Sequence, residues 1–151
     1  MRQAGFTLIE LLVTIALVAI VAGIAVPNFS GLVSENRLSA LTTNLNAALR
    51  LARSEAIKRN QRLTLCGIVK CDGDFSAGWQ LKTTINSDPP LREQAFDDNS
   101  ASAVGEAPFV FNPLGELAPG SGQCLVVSVG GASQALQATP SGAIRSIETC
   151  P

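Results

Sequence analysis

The stretch GFTLIELLVTIALVAIVAGIAVP, residues 5–27, decides how the rest of the chain is read. From Phe6 to Val26 it holds 21 consecutive residues with one charge, Glu10. At 1.5 Å rise per residue, a helix of that length covers roughly 31 Å, about one hydrocarbon core. The run is therefore expected to cross a membrane. Ahead of it stand only Met1-Arg2-Gln3-Ala4-Gly5, with one positive charge at Arg2. A conventional secretory signal places a small-residue cleavage site after its apolar run. Here Pro27-Asn28-Phe29 follow instead, so the run is expected to stay on the mature protein. A carboxylate in hydrocarbon costs about 2.5–3.5 kcal/mol at the centre and less near the interface. Glu10 is thus expected to be paired or functional, or else to snorkel to headgroups.

Beyond Pro27 the apolar residues change period. Leu38, Leu41, Leu45, Ala48, Ala52 and Ala56 recur at steps of three and four, and Leu49 widens the stripe. That is one face of an amphipathic helix. The opposite face carries Glu35, Arg37, Asn44, Arg50 and Arg53. No glycine or proline interrupts residues 32–66. The pattern predicts one helix from Phe6 to about Asn60, roughly 80 Å long. Its first half lies in a membrane or filament core and its second half packs on a head. Gly23 and Pro27 weaken the join, because proline removes one backbone hydrogen bond and clashes with the preceding turn.

From Arg62 the chain reads as short strands. Leu63–Cys66, Trp79–Thr83, Phe109–Phe111, Leu125–Val127 and Ala143–Ile147 are candidates. Turn signals separate them: Asp72-Gly73-Asp74, Asp88-Pro89-Pro90, Asn112-Pro113 with Gly115, Gly130-Gly131, and Pro140-Ser141-Gly142. The fold class is α+β, with a long N-terminal helix packed on a small antiparallel β head of five to seven strands. Residues 97–108 read as a polar, flexible loop.

At 151 residues the chain has room for one domain. It has no histidine, which removes the commonest general base and metal ligand. Its formal charge of −1 recruits neither nucleic acid nor anionic lipid globally. Locally, Arg50, Arg53, Lys58, Arg59 and Arg62 against Glu55 give +4 in 13 residues. Such a run can bind phosphate. It is more often a solvated helix end whose cations complement the dipole. Cys66, Cys71, Cys124 and Cys150 allow three pairings, and sequence alone does not choose among them. Their spacing is not that of a zinc site, and an export signal upstream favours disulfides. We expect Cys66–Cys71, closing a tight loop between nearby strand residues, and Cys124–Cys150, tying the last strand to an earlier one.

Gly5-Phe6-Thr7-Leu8-Ile9-Glu10-Leu11-Leu12 resembles the type IV prepilin signature. The resemblance implies cleavage between Gly5 and Phe6 by a prepilin peptidase and methylation of the new amine on Phe6. It also implies pairing of Glu10 with the N-terminal amine of a neighbouring subunit during assembly. The organisation is then a leader 1–5, a membrane or filament-core half 6–29, and a head 30–151 that includes the distal half of the helix. Further motifs follow in order. They are Ala52-Arg53-Ser54-Glu55-Ala56-Ile57-Lys58-Arg59, Gly78-Trp79, Phe111-Asn112-Pro113-Leu114-Gly115 and Ser141-Gly142-Ala143-Ile144-Arg145. Together they are similar to the GspH/FimT family of minor pilins and minor pseudopilins, over nearly the whole chain. DNA-binding members carry Gly-Arg-x-Arg near the C-terminus, whereas this chain has Ala143 in place of the first arginine, with Arg145 alone.

The resemblance implies a minor pilin that joins the tip complex of a type IV pilus and helps prime its assembly. The alternatives are a minor pseudopilin of a type II secretion system and a DNA-binding pilin. Expected partners are other minor and major pilins or pseudopilins, the prepilin peptidase and the inner membrane. DNA contacts, if made, fall to Arg50, Arg53, Lys58, Arg59, Arg62 and Arg145. The expected location is the inner membrane, single-pass with the head in the periplasm, and then the pilus. No catalytic residue, cofactor or metal is expected, because the carboxylates are scattered and form no catalytic motif.

Overall fold

The computed structural model describes residues 6–83, 89–97 and 101–151, and for 24–30 the backbone alone. The leader with Gly5 lies outside the described residues, as do Asp88 of one expected turn and residues 98–100 of the expected loop. Among the described residues a single helix, α1 (Leu8–Arg59), is followed by eight strands. Thr7 starts the helix as a capping residue. At the other end Asn60 sits in the left-handed conformation (φ 51°), and its N–H donates to the carbonyls of Ala56 and Ile57. Asparagine tolerates that region, so the helix stops there and the chain turns back. The expected helix is thus present to within two residues at each end.

The strands are β1 (Leu63–Gly67), β2 (Gly78–Lys82), β3 (Arg92–Ala95), β4 (Ala101–Gly105), β5 (Phe109–Phe111), β6 (Cys124–Val129), β7 (Ala132–Ala138) and β8 (Ile144–Ile147). They form two antiparallel sheets, ordered β3-β2-β1-β5 and β4-β6-β7-β8. The expectation of one sheet of five to seven strands is corrected on both counts. Residues 97–108 are corrected too, because β4 occupies 101–105 and pairs with β6 with Ala103 buried opposite Val127. Its Ala-Ser-Ala-Val-Gly composition is too small and polar to announce a strand, and pairing with a valine-rich neighbour makes it one. The strand β3 is wholly exposed and has no apolar alternation. β7 has no β-branched or aromatic residue; the Gly130-Gly131 turn, at φ +57° and +88°, folds it onto β6.

The helix stripe works as its period implies. Leu45, Leu49, Ala52 and Ala56 are fully buried against Leu63, Leu65, Phe109, Phe111, Leu125 and Leu136. The contrasting polar face does not stay wholly in solvent. Asn44 is half-buried, and its Oδ1 accepts the Trp79 indole N–H at 2.9 Å. The segment after β1 stitches the two sheets together. Phe75 N donates to Ala103 O (2.7 Å), Gly105 N to Gly73 O (2.8 Å), and Ala103 N to Ser76 Oγ (3.0 Å). The Ser76 hydroxyl and N–H hold the Asp74 carboxyl below the usual aspartate range. A depressed carboxylate stabilises the fold above its unfolded pKa and loses that contribution as pH falls through the lower folded value. The Asp74 contribution to the stitch is therefore lost as pH falls below the ordinary aspartate range.

Cys66 is bonded to Cys71 and Cys124 to Cys150, across sequence separations of 5 and 26. In the chain-entropy picture these loops contribute about 2 and about 3.5 kcal/mol. Removing the second bridge by Cys124→Ala with Cys150→Ala should therefore lower the urea midpoint more than removing the first. Unfolding curves of the two double variants check this, and the reverse order would refute it.

Candidate functional site

The first candidate region is the start of α1. Thr7 Oγ1 accepts the Glu10 N–H at 3.3 Å, and the Glu10 carboxylate accepts the Thr7 N–H at 3.2 Å. This reciprocal capping box satisfies two of the orphan donors at a helix start. Phe6 lies directly ahead of it, 85% exposed. From there Leu8, Ile9, Leu11, Leu12, Val13, Ile15, Leu17, Val18, Ile20 and Val21 are all exposed. Monomeric soluble proteins rarely expose so long an apolar surface, which marks a protein or membrane interaction site. Among the described residues no helical stretch is long and apolar enough to cross a membrane. The described side chains of the run end at Gly23. Sequence reading singled out Glu10 but passed over Thr7, although the Thr-x-x-Glu spacing before an apolar run announces the cap.

The second candidate region is the basic part of α1, which packing divides between two sides of the helix. Arg50 and Arg53 turn toward the far edge of the head. Arg50 Nε donates to Asn46 Oδ1 (2.7 Å) and its Nη2 to Ile144 O (3.4 Å). Arg53 Nε donates to Gly115 O (3.0 Å) and its Nη2 to Ser141 O (3.2 Å). Lys58 and Arg59 instead meet Glu55, with Arg59 Nε 2.6 Å from its carboxylate. The Arg59 hydrogen bond holds the Glu55 carboxyl below the ordinary glutamate range. Arg62 is exposed ahead of β1.

Arg145 is not brought to this cluster. It pairs with Gln137 across β7 and β8, and its Nε and Nη2 both donate to Gln137 Oε1, at 2.9 and 2.7 Å. Neighbouring Ile144 lies opposite the buried Ala138 on the core face, so Arg145 stands on the outer face of its sheet.

Arg53 also explains why three separate sequence motifs belong together. It sits on the helix, between the Asn112–Glu116 turn and the Ser141–Gly142 turn, and ties a carbonyl of each to α1. Gly115 (φ +79°) and Gly142 (φ +77°) both occupy the left-handed region. A Cβ on Gly142 would run into the Gly115 carbonyl oxygen, so glycine alone permits this approach. Among the described residues no cluster of side chains is arranged to hold a metal ion.

A long helix with an exposed apolar start, bearing a disulfide-bonded head of two small antiparallel sheets, defines the pilin class of filament proteins. Comparison with known proteins agrees. A family described as "Type II transport protein GspH" matches residues 41–142, and the "Prokaryotic N-terminal methylation motif" matches residues 1–26. The chain belongs to the GspH family of type IV pilin-like proteins and carries the prepilin methylation motif. It is 28% identical to the pilin-like protein PilA1 of Thermus thermophilus, over 96% of this chain and 99% of that protein. It is 46% identical to the type IV major pilin protein PilA of Myxococcus xanthus, over 30% of this chain and 21% of that protein. The crystal structure of the Pseudomonas aeruginosa type IV minor pilin FimU is similar in fold, with a TM-score of 0.62 at 23% identity. That likeness covers 74% of this chain and 88% of that one.

Proposed function

We propose that the chain is a minor pilin that joins the tip or initiation complex of a type IV pilus and helps prime assembly. The observation that carries this reading is the exposed apolar start of α1, with Glu10 as its single charge. In this reading residues 1–5 are a leader removed between Gly5 and Phe6 by a prepilin peptidase, and the amine of Phe6 is methylated. Residues 6–29 hold the subunit in the inner membrane as a single pass. Residues 30–151 form the head, which stays in the periplasm until the subunit enters the filament. Two disulfides suit that oxidising compartment. The subunit works by docking to other pilins and carries out no catalysis.

Before assembly Glu10 caps its own helix. On assembly it exchanges the Thr7 N–H for the Phe6 amine of a neighbour. An unpaired carboxylate among apolar helices is costly, so only the register that supplies the amine is stable. Glu10→Ala should leave the amount of membrane-bound protein unchanged and reduce its presence in sheared pili at least tenfold, measured by immunoblot. Normal incorporation would sink the reading.

The family description favours a second reading, a minor pseudopilin of a type II secretion system. Deleting the gene separates the two. Loss of piliation supports the pilus, and loss of exoprotein export with intact pili supports the secretion machine.

A DNA-uptake role is the weaker third reading. Arg53 and Arg145 are engaged on different faces, Lys58 and Arg59 share Glu55, and Ala143 replaces an arginine. With two or three phosphate contacts, the slope of log affinity against log salt should be about −2 to −3. Titration of the detergent-solubilised chain with duplex DNA at several salt concentrations measures that slope. Submicromolar binding at physiological salt, abolished by Arg145→Ala, would overturn this ranking.

A further inference from the structure

The head exposes apolar residues beside the two arginines that tie its turns and last strand to α1. At the centre of this patch Leu114 is 76% exposed and Ile57 is 49% exposed. Ile57 lies over Gly115, the residue that follows Leu114 in the turn, so the turn carries one exposed apolar residue and packs beside another. The patch continues into a cleft of about 300 Å³ lined by Arg50, Arg53, Ser54, Ile57 and Ile144.

Leu114 is not on a loose loop. Asn112 Oδ1 accepts the N–H groups of Leu114 (2.9 Å) and Glu116 (3.0 Å), and Gly115 N donates to Asn112 O (2.9 Å). Arg53 then fixes the Gly115 carbonyl to α1. A large apolar side chain is therefore held out into solvent by a rigid turn, and it loses little freedom when a partner covers it.

The charge beside it is uncompensated. Among the described residues Arg50 and Arg53 donate to neutral acceptors, namely one amide oxygen and three backbone carbonyls. Among the described residues no carboxylate forms an ion pair with either. Glu116, the nearest acid in the turn's sequence, accepts from Asn112 Nδ2 at 3.0 Å. Five N–H donors per guanidinium leave each arginine spare capacity. Arginine is enriched at interface cores, and the fully buried core of an interface is more apolar than the rest of the surface.

Three kinds of occupant can be weighed. Lipid fits poorly, because Ile57 lies about 46 Å along the helix beyond the end of the apolar run. Nucleic acid is a poor fit, since the centre of the patch is aliphatic and offers no aromatic face for bases. A protein surface with an apolar side chain next to a carboxylate matches both halves of the patch. We propose that Leu114, Ile57 and Arg50 dock the head of a neighbouring filament subunit, with a carboxylate of that neighbour received by Arg50. This rests on the filament-subunit reading and adds to it the surface used and the chemistry of the partner.

The test uses the full chain in living cells with benzoylphenylalanine placed at position 114 and, separately, at position 11. Position 11 reports whether the apolar helix meets other subunits at all. The proposal expects a product at position 114 with a subunit bearing a prepilin-type N-terminus, joined next to an aspartate or glutamate. Arg50→Glu should reduce that product at least tenfold and leave the position 11 product unchanged. Reversing the partner's acid to lysine should restore it. A position 11 product without one at 114, a 114 product indifferent to Arg50→Glu, or a 114 product with nucleic acid overturns the docking proposal while the filament reading stands. No subunit product at either position overturns both.

Discussion

Gly142→Ala should cost the head roughly 2–5 kcal/mol, a large effect for one methyl group. Two penalties combine. A non-glycine residue in the left-handed region costs about 1–2 kcal/mol, and Gly142 sits there at φ +77°. The new Cβ would also collide with the backbone carbonyl of Gly115, and forcing added volume into a packed site costs about 1–3 kcal/mol. The collision cannot be relieved by a side-chain rotation, because the obstacle is backbone. Moving that carbonyl pulls it from Arg53 Nε, and the turn that presents Leu114 loses its tie to the helix. Urea unfolding of the detergent-solubilised chain, followed by the fluorescence of its single tryptophan, reads the effect. Trp79 is buried on Asn44 and reports the head. A loss below about 1 kcal/mol would show that the approach of the two turns is not as close as described.

Phe109→Ala should cost about 3–5 kcal/mol, the usual range for emptying a buried aromatic site. Phe109 has no exposure at all. Its ring is tilted 49° against Phe75, with centroids 6.0 Å apart. Phe109 is on β5, whereas Phe75 belongs to the segment that stitches β4 to the first sheet. The cavity would thus open where the two sheets meet. Phe109→Leu keeps most of the volume and should cost well under half as much. Equal losses for the two variants would mean that the site collapses around the smaller side chain and that the aromatic pair matters little.

The features legible from the sequence are those written in local patterns. The apolar run with its lone Glu10 needs no partner to be recognised. The Leu38-to-Ala56 stripe follows from helical geometry alone, because residues three and four apart share a face. Asn60 and Gly130-Gly131 mark where the chain can turn, and both sit at the expected ends of elements. The short apolar-rich strands, such as Leu63–Cys66 and Leu125–Val127, are readable for the same reason.

What the pattern could not supply depends on residues distant in the chain. The segment Ala101-Ser102-Ala103-Val104-Gly105 has almost no strand propensity and becomes β4 only because β6 offers backbone partners. Strand β3 takes its place from β2 in the same way. Hydrogen-bond ladders satisfy backbone groups whatever the side chains are, so composition is a weak guide to strands that others recruit. The charges of α1 make the same point. From the sequence, Arg50, Arg53, Lys58 and Arg59 form one basic run. The fold sends Arg53 to two carbonyls more than 60 residues away, gives Lys58 and Arg59 to Glu55, and sets Arg50 between Asn46 and Ile144, in one cleft with exposed Ile57. Sequence by itself determined the apolar start of the helix, its amphipathic continuation and the class of head. Only the tertiary structure decided which cations became struts to distant turns and which paired within the helix. A guanidinium is committed by the acceptors that packing brings within about 3 Å, and those come from anywhere in the chain.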